Sequence, residues 1–254
     1  TEILFVGRSC ARELVLRLRS SVPMQIAEGA AEAQFTLSAD QSAWFVIEVM
    51  MGDEPSPCGR PDYVADAFKE TVNFWRSWIG RSSYKNRWRE TVNRSALVLK
   101  LLTSREHGSI VAAPTFGLPE TIGGERNWDY RYSWIRDSSF TLYGLMRLGY
   151  TDEAAAFMGW TMARAQELEP DGSLQIMYAM DGRPVVHEEM LAHLEGYMGS
   201  RPVRIGNAAY AHLQLDIYGE LMDSVYLYDK YGSPIGHDAW LNIVRLIGWV
   251  CEHW

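Results

Sequence analysis

Arg126-Asn127-Trp128-Asp129-Tyr130-Arg131-Tyr132-Ser133-Trp134-Ile135-Arg136-Asp137-Ser138 packs four aromatics, three arginines and two aspartates into thirteen positions. Neither an ordinary core nor a solvated face requires that mixture. Trp and Tyr offer flat apolar faces with a polar edge, and an Arg beside an Asp sets a fork of donors next to an acceptor. The combination suits a sugar, whose C–H faces stack on rings and whose hydroxyl edge a charged donor and a charged acceptor can hold in one orientation.

The rest of the chain is compatible with such a site. At 254 residues and 47% hydrophobic it can bury a sizeable core, in one large or two modest domains. A net charge of −8, from 24 basic and 32 acidic residues, repels a phosphate backbone, so nucleic acid is not an expected partner. Ten Trp and thirteen Tyr favour an aromatic-lined cleft. Cys10, Cys58 and Cys251 are odd in number and far apart, which shows neither a disulfide framework nor a metal-ligand spacing and fits a reducing, cytoplasmic compartment. The histidines are scattered, and no metal or other cofactor is expected. No apolar run approaches the roughly 20 residues of a membrane span.

In chain order, period-two alternation runs from Glu13 to about Val49, with Phe35 and Leu37 continuing it, and turn-formers interrupt it at Pro23, Glu28-Gly29 and Ala39-Asp40. These are the marks of antiparallel strands at sandwich spacing. Gly52 to Pro61, with three Pro and two Gly, reads as a linker. Helical spacing follows at Val64 to Ile79 and at Trp88 to Leu102. Residues 103–136 form a long loop segment, and such loops in compact domains usually carry function. Helices are expected from Asp137-Ser138 to Gly149, from Thr151 to near Glu169-Pro170, from about Ala208 to Tyr231 and from Asp238 to Trp254. A turn at Asp171, a short strand over 174–180 and a second turn at Asp181-Gly182 lie between them. Thr1 opens directly into strand-like Ile3-Leu4-Phe5-Val6, and the last helix has no stop signal, so the sequence reads as a fragment.

The aromatic run, read with Gly196-Tyr197-Met198-Gly199-Ser200-Arg201-Pro202-Val203-Arg204-Ile205-Gly206-Asn207, resembles glycoside hydrolase family 15, which contains glucoamylases, glucodextranases and bacterial or archaeal trehalases. The resemblance extends from Trp88 to Leu102 through Ala113-Pro114 and Leu118-Pro119-Glu120 to Leu215-Asp216-Ile217-Tyr218-Gly219-Glu220. It implies a multidomain β + α chain: the end of an N-terminal antiparallel β-sandwich over 1–52, a linker with two helices over 53–102, and the first, incomplete part of an α/α toroid (six-hairpin barrel) over 103–254. It implies hydrolysis of an α-glucoside or α-glucan (trehalose, starch oligosaccharides or dextrans) by inversion. That chemistry needs two carboxyl groups roughly 6.5–9.5 Å apart. In the family the acid lies in an Asp-x-Gly-Ile-Trp-Glu-like motif and the base nearer the C-terminus, and neither motif occurs within 1–254, so both catalytic Glu are expected beyond Trp254. What carries over is the subsite for the non-reducing glucose: Tyr130, Trp134, Arg136, Asp137 and Arg201.

Each of these residues also has a plainer role open to it. Asp137 could be a helix N-cap, Arg136 an ion pair with Asp129 or Asp137, and Trp134 a core residue beside Tyr132. Arg204 and Asn207 read as loop brace and N-cap, and Asp216 and Glu220, four apart on a helix, as solvated or loop-bracing. Glu120, Glu125, Glu188, Glu189 and Glu195 are further loop carboxylates, and Glu120, Glu125 or Glu195 would be the acid in a different toroid enzyme. A non-catalytic carbohydrate-binding module of the same fold is the alternative function. The substrate class is carbohydrate in every case, and the sequence does not specify an oligomeric state.

Overall fold

Alternating apolar residues before Gly52 form antiparallel strands in the computed structural model, which describes residues 1–8, 13–50, 52, 55–166, 173–184 and 186–254. Cys10, the helix end expected near Glu169-Pro170 and the turn at Asp171 lie outside the described residues. The chain divides into two units, 1–77 and 78–254.

In the first unit β1 (Glu2–Arg8), β2 (Glu13–Ser20) and β5 (Phe45–Met50) make a three-stranded sheet in the order β1-β2-β5, while β3 (Gln25–Ala27) and β4 (Ala30–Glu32) form a separate hairpin. The register Ile3↔Leu18↔Ile47 and Phe5↔Leu16↔Val49 gives one uniformly apolar face. The other face carries the ion pairs Arg19–Glu2 (3.2 Å) and Arg17–Glu48 (3.8 Å). Ile47 and Val49 remain exposed, and the second layer of a sandwich is not among the described residues. The segment around Phe35 and Leu37, expected as a strand, is irregular. Alternation needs only one apolar side; Phe35 meets it by leaning on Phe45, ring centroids 5.8 Å apart. A short 3-10 turn (Pro57–Gly59) then leads to α1 (Tyr63–Gly80), in which the division between the units falls.

The second unit holds α2 (Arg89–Leu101), the two-residue strand β6 (Ser133–Trp134), α3 (Ile135–Arg147), α4 (Thr151–Gln166), the short strands β7 (Met177–Tyr178), β8 (Glu189–Met190) and β9 (Arg204–Ile205), α5 (Asp216–Tyr231) and α6 (His237–His253). Helix α3 packs chiefly against α5 and also meets α4 and α2. Leu142, Phe157, Ile217, Leu221 and Leu246 fill the core between these helices. Truncating any of them to Ala removes contacts worth about 2–5 kcal/mol. Beneath α3 a smaller cluster stacks Trp78 on Tyr150, centroids 4.0 Å apart and 8° from parallel, with Ala96 and Leu145.

The sequence pattern placed the α3 start at Asp137-Ser138. The structure begins it two residues earlier, with extended Trp134 as N-cap, because Ile135 donates its N–H to Ile176 and enters the helix from β6. The strand expected over 174–180 shrinks to Met177–Tyr178, paired with Trp134 and Ser133. The helix expected from Ala208 to Tyr231 is broken. A 3-10 turn (Ala208–Ala211) ends at extended His212, and α5 starts at Asp216. The interruption lets Gln214 and Asp216 reach across to Arg136.

Glu153, read from sequence as a favourable first-turn acid, is buried at 3% exposure and accepts from Trp78 Nε1 (2.7 Å) and Lys100 Nζ (2.8 Å). Burial pushes its carboxyl up, but those two hydrogen bonds outweigh burial and hold it below the usual range. A depressed folded pKa gives stability that is present above the unfolded value and lost as pH falls through the folded one. Glu153→Gln should therefore cost about 1–3 kcal/mol at pH 7, and less below about pH 4. Thermal melts at both pH values check this; an equal penalty at both would mean that the charge contributes nothing.

Candidate functional site

The aromatic run enters the unit as an extended segment. Ala112 N–H donates to the Tyr132 carbonyl (2.9 Å), Ala113 N–H to that of Tyr130 (3.0 Å), and Tyr130 N–H to that of Thr115 (3.3 Å). Its position is fixed by Asp129, which is fully buried. One carboxylate oxygen accepts from Arg131 N–H (3.1 Å) and Arg131 Nε (2.9 Å), the other from Arg131 Nη2 (2.7 Å) and Gly206 N–H (3.2 Å). A buried carboxylate without such partners would cost several kcal/mol, so these four donors define where both loops lie. Arg131, committed to Asp129, lays its guanidinium over Phe116, 4.2 Å from the ring centroid.

The second motif is tied to the first at every turn. Asn207 Nδ2 donates to the Asp129 carbonyl (3.2 Å), and Asn127 Nδ2 to that of Pro202 (3.1 Å). Buried Ser200 accepts from Gly123 N–H (2.8 Å). Arg204 donates to the Glu125 carbonyl (2.8 Å), lies 3.1 Å from Glu188 and covers the Trp128 ring at 4.7 Å, the loop brace read from the sequence. Asn207 caps the following turn through Ala209 N–H (3.0 Å), also as read. Gly206 has φ +75°, and a Cβ there would collide with the His187 carbonyl oxygen, so this corner excludes every other residue.

Tyr130 leads through β6 into Arg136 and Asp137 at the start of α3, while Arg201 belongs to the second loop. Tyr130 is half-buried and tilts against Trp134, ring centroids 5.9 Å apart at 45°. Burial, then the charges of the Glu120 and Asp137 carboxylates, push the Tyr130 phenol above its ordinary range. Trp134 is 7% exposed and packs in the core, backing Tyr130 instead of forming a second open platform, and Tyr132 packs against the same core. Arg136 and Asp137 sit in the first turn of α3, Nη2 to Oδ2 3.4 Å, with Arg136 37% and Asp137 41% exposed. Asp137 is thus not an N-cap, and Arg136 pairs with Asp137 and Asp216 but not with Asp129. Arg201 is exposed and its Nε donates to the Glu195 carbonyl (3.3 Å). Glu125, Glu189 and Glu195 are exposed; Glu188 is engaged by Arg204 and by Ala208 N–H.

Asp129 and Gln214 were not singled out as functional by the sequence. Asp129 had one local signal, Arg131 two positions on; Gln214 had none, since its partner lies 78 positions away. Among the described residues no group of three His, Cys, Asp or Glu is placed to hold a metal, and no helix is long and apolar enough to cross a membrane.

A half-buried tyrosine beside an exposed arginine–aspartate pair, held on rigid helix ends, can take a neutral polyhydroxyl ligand by stacking and paired hydrogen bonds. Residues 86–254 match the family described as "Glycosyl hydrolases family 15", and the chain belongs to that family. Among its relatives are "Trehalase" of Mycolicibacterium smegmatis, 40% identical over 244 residues (94% of this chain, 36% of that protein), and "Trehalase" of Mycobacterium tuberculosis, 43% identical over 198 residues (76% and 29%). "Trehalase" of Thermoplasma acidophilum is 41% identical over 172 residues (68% and 29%). The chain spans about a third of the length of these relatives.

If Asp129 fixes the loops, Asp129→Ala should destabilise the protein by about 3–5 kcal/mol, because it strands the Arg131 charge and Gly206 N–H. Arg201→Ala should stay within about 0.5 kcal/mol, as expected of an exposed side chain. Urea unfolding of the two variants in parallel checks the contrast, and similar losses would show that the clamp is not the anchor.

Proposed function

We propose that the protein is an α-glucoside hydrolase whose described second unit holds a non-reducing glucose, with trehalose as the first substrate to test. The observation that carries this is the half-exposed Arg136–Asp137 pair at the start of α3, after a Tyr130 ring braced by Trp134, in a family 15 chain. The names of the relatives favour trehalose among α-glucosides. In this reading Asp137 accepts from one sugar hydroxyl and Arg136 donates to its neighbour, while Tyr130, braced by Trp134, lies against the ring. Arg201, on the rim, contributes a further donor once ligand is present. The scissile bond is cleaved with inversion by two Glu and a positioned water, and both Glu lie outside residues 1–254. The two units correspond to the end of a sandwich and the opening helices of a toroid.

The test is glucose release from trehalose, maltotriose and isomaltotriose by the full product of the gene, with the anomers followed by NMR. Trehalose should be the best substrate and should yield one α- and one β-glucose in the first turnovers. Two α-glucoses would overturn inversion, and sugar binding without release would favour a non-catalytic binding module. Arg136→Lys should lower kcat/KM for trehalose about tenfold to hundredfold, since an ammonium cannot reproduce the planar fork. An unchanged kcat/KM would remove Arg136 from the site.

A further inference from the structure

We infer that Asp216 and Gln214 are positioning residues for the sugar subsite: they pin one edge of the Arg136 guanidinium on the α5 side, so that its approach to Asp137 stays a single 3.4 Å ion pair and both keep hydrogen-bonding capacity for hydroxyls. This rests on the role proposed for Arg136 above. Nη1 carries two hydrogens and has two acceptors, Gln214 Oε1 and Asp216 Oδ2, each at 3.2 Å. Both hydrogens are therefore taken up on the α5 side. Because the guanidinium is planar and rigid, pinning Nη1 fixes the direction of the remaining donors. Nη2 lies 3.4 Å from Asp137 Oδ2 without a hydrogen bond, and that oxygen is shielded and has no hydrogen-bond partner. The more accessible half of the Asp137 carboxylate is thus left to a ligand.

A guanidinium 3.4 Å from a carboxylate oxygen can close into a two-pronged pair with it, which would occupy donor and acceptor together. Asp216 supplies the competing charge that prevents this, and Gln214 supplies an uncharged acceptor beside it. Neither can be replaced by a neighbour on α5: Glu220, one turn on, has no hydrogen bond or ion pair to Arg136. The break between the 3-10 turn and α5 is what places the pair, since Gln214 precedes the helix and Asp216 begins it.

The experiment compares the full gene product with its Asp216→Ala and Asp216→Asn variants, measuring kcat and KM for trehalose and the melting temperature. Asp216→Ala should raise KM about tenfold with kcat within about threefold, and Asp216→Asn, which keeps an acceptor, should raise KM only about two- to threefold. Melting temperatures should agree within about 2 °C, because the residue is half-exposed. An unchanged KM in Asp216→Ala overturns the positioning role and leaves the proposed function standing. A fall in kcat together with melting temperature, not relieved by Asn, shows a merely structural residue and also overturns it. A wild type that neither binds nor cleaves trehalose removes the proposed function, and this inference with it.

Discussion

A carboxylate taken fully out of water must be surrounded by donors, and Asp129 meets that demand with groups drawn from two loops. Three of its hydrogen bonds come from Arg131 and stiffen the aromatic run locally. The fourth comes from Gly206, 77 positions later, and sets how close the second loop can approach. The rest of the site geometry depends on that closeness: with the Gly206 backbone drawn in, no Cβ fits against the His187 carbonyl, and Asn207 falls within reach of the Asp129 carbonyl. Tyr130 follows Asp129 directly, so its ring inherits a fixed starting point. The site is therefore organised by a residue with no exposed surface.

The same loop delivers the chain into α3, and there a second constraint acts. Helix N-termini carry a partial positive charge, which favours Asp137 and Asp216 in the first turns of α3 and α5 and opposes Arg136 among them. Arg136 is stable there because it lies between two carboxylates and an amide oxygen. Packing of α3 on α5 through Leu142, Ile217 and Leu221 holds these two helix starts together. Core burial thus sets the spacing, within which the polar groups can only exchange partners.

Much of this was legible because it is periodic or punctuated. Helical spacing located α1, α2 and α6 nearly to the residue, and the aromatic run and the Gly-Ser-Arg-Pro loop, read together from the sequence, are hydrogen-bonded to each other. Elements defined by a distant partner were not legible. Two-residue strands such as β6 have no period to detect; Phe35 and Leu37 alternate like a strand yet lie in an irregular segment, with Phe35 against the Phe45 ring. Asp216 shows the limit most clearly. Its spacing from Glu220 pointed along α5, whereas its partner sits 80 positions upstream on another helix. Trp134 was open to both roles from sequence, and burial at 7% puts it behind Tyr130.

The acids of the second unit differ in how far their charge is already met by donors. A general acid for glycoside cleavage needs a carboxyl group pushed upward, by burial or by a like charge, with room for substrate against it. Among the described residues the acids whose titration is displaced, Glu153 and Asp181, both move downward, held by Lys100 with Trp78 and by Arg183. Asp129 is saturated by donors, while Glu188 is held by Arg204 and a backbone N–H, and Asp216 by Arg136. Asp137 and Glu120 retain exposed carboxylate surface, each beside an arginine, Arg136 and Arg126. A partly open carboxylate beside a guanidinium sets an acceptor next to a donor, the pairing that adjacent hydroxyls of a polyhydroxyl ligand can meet together.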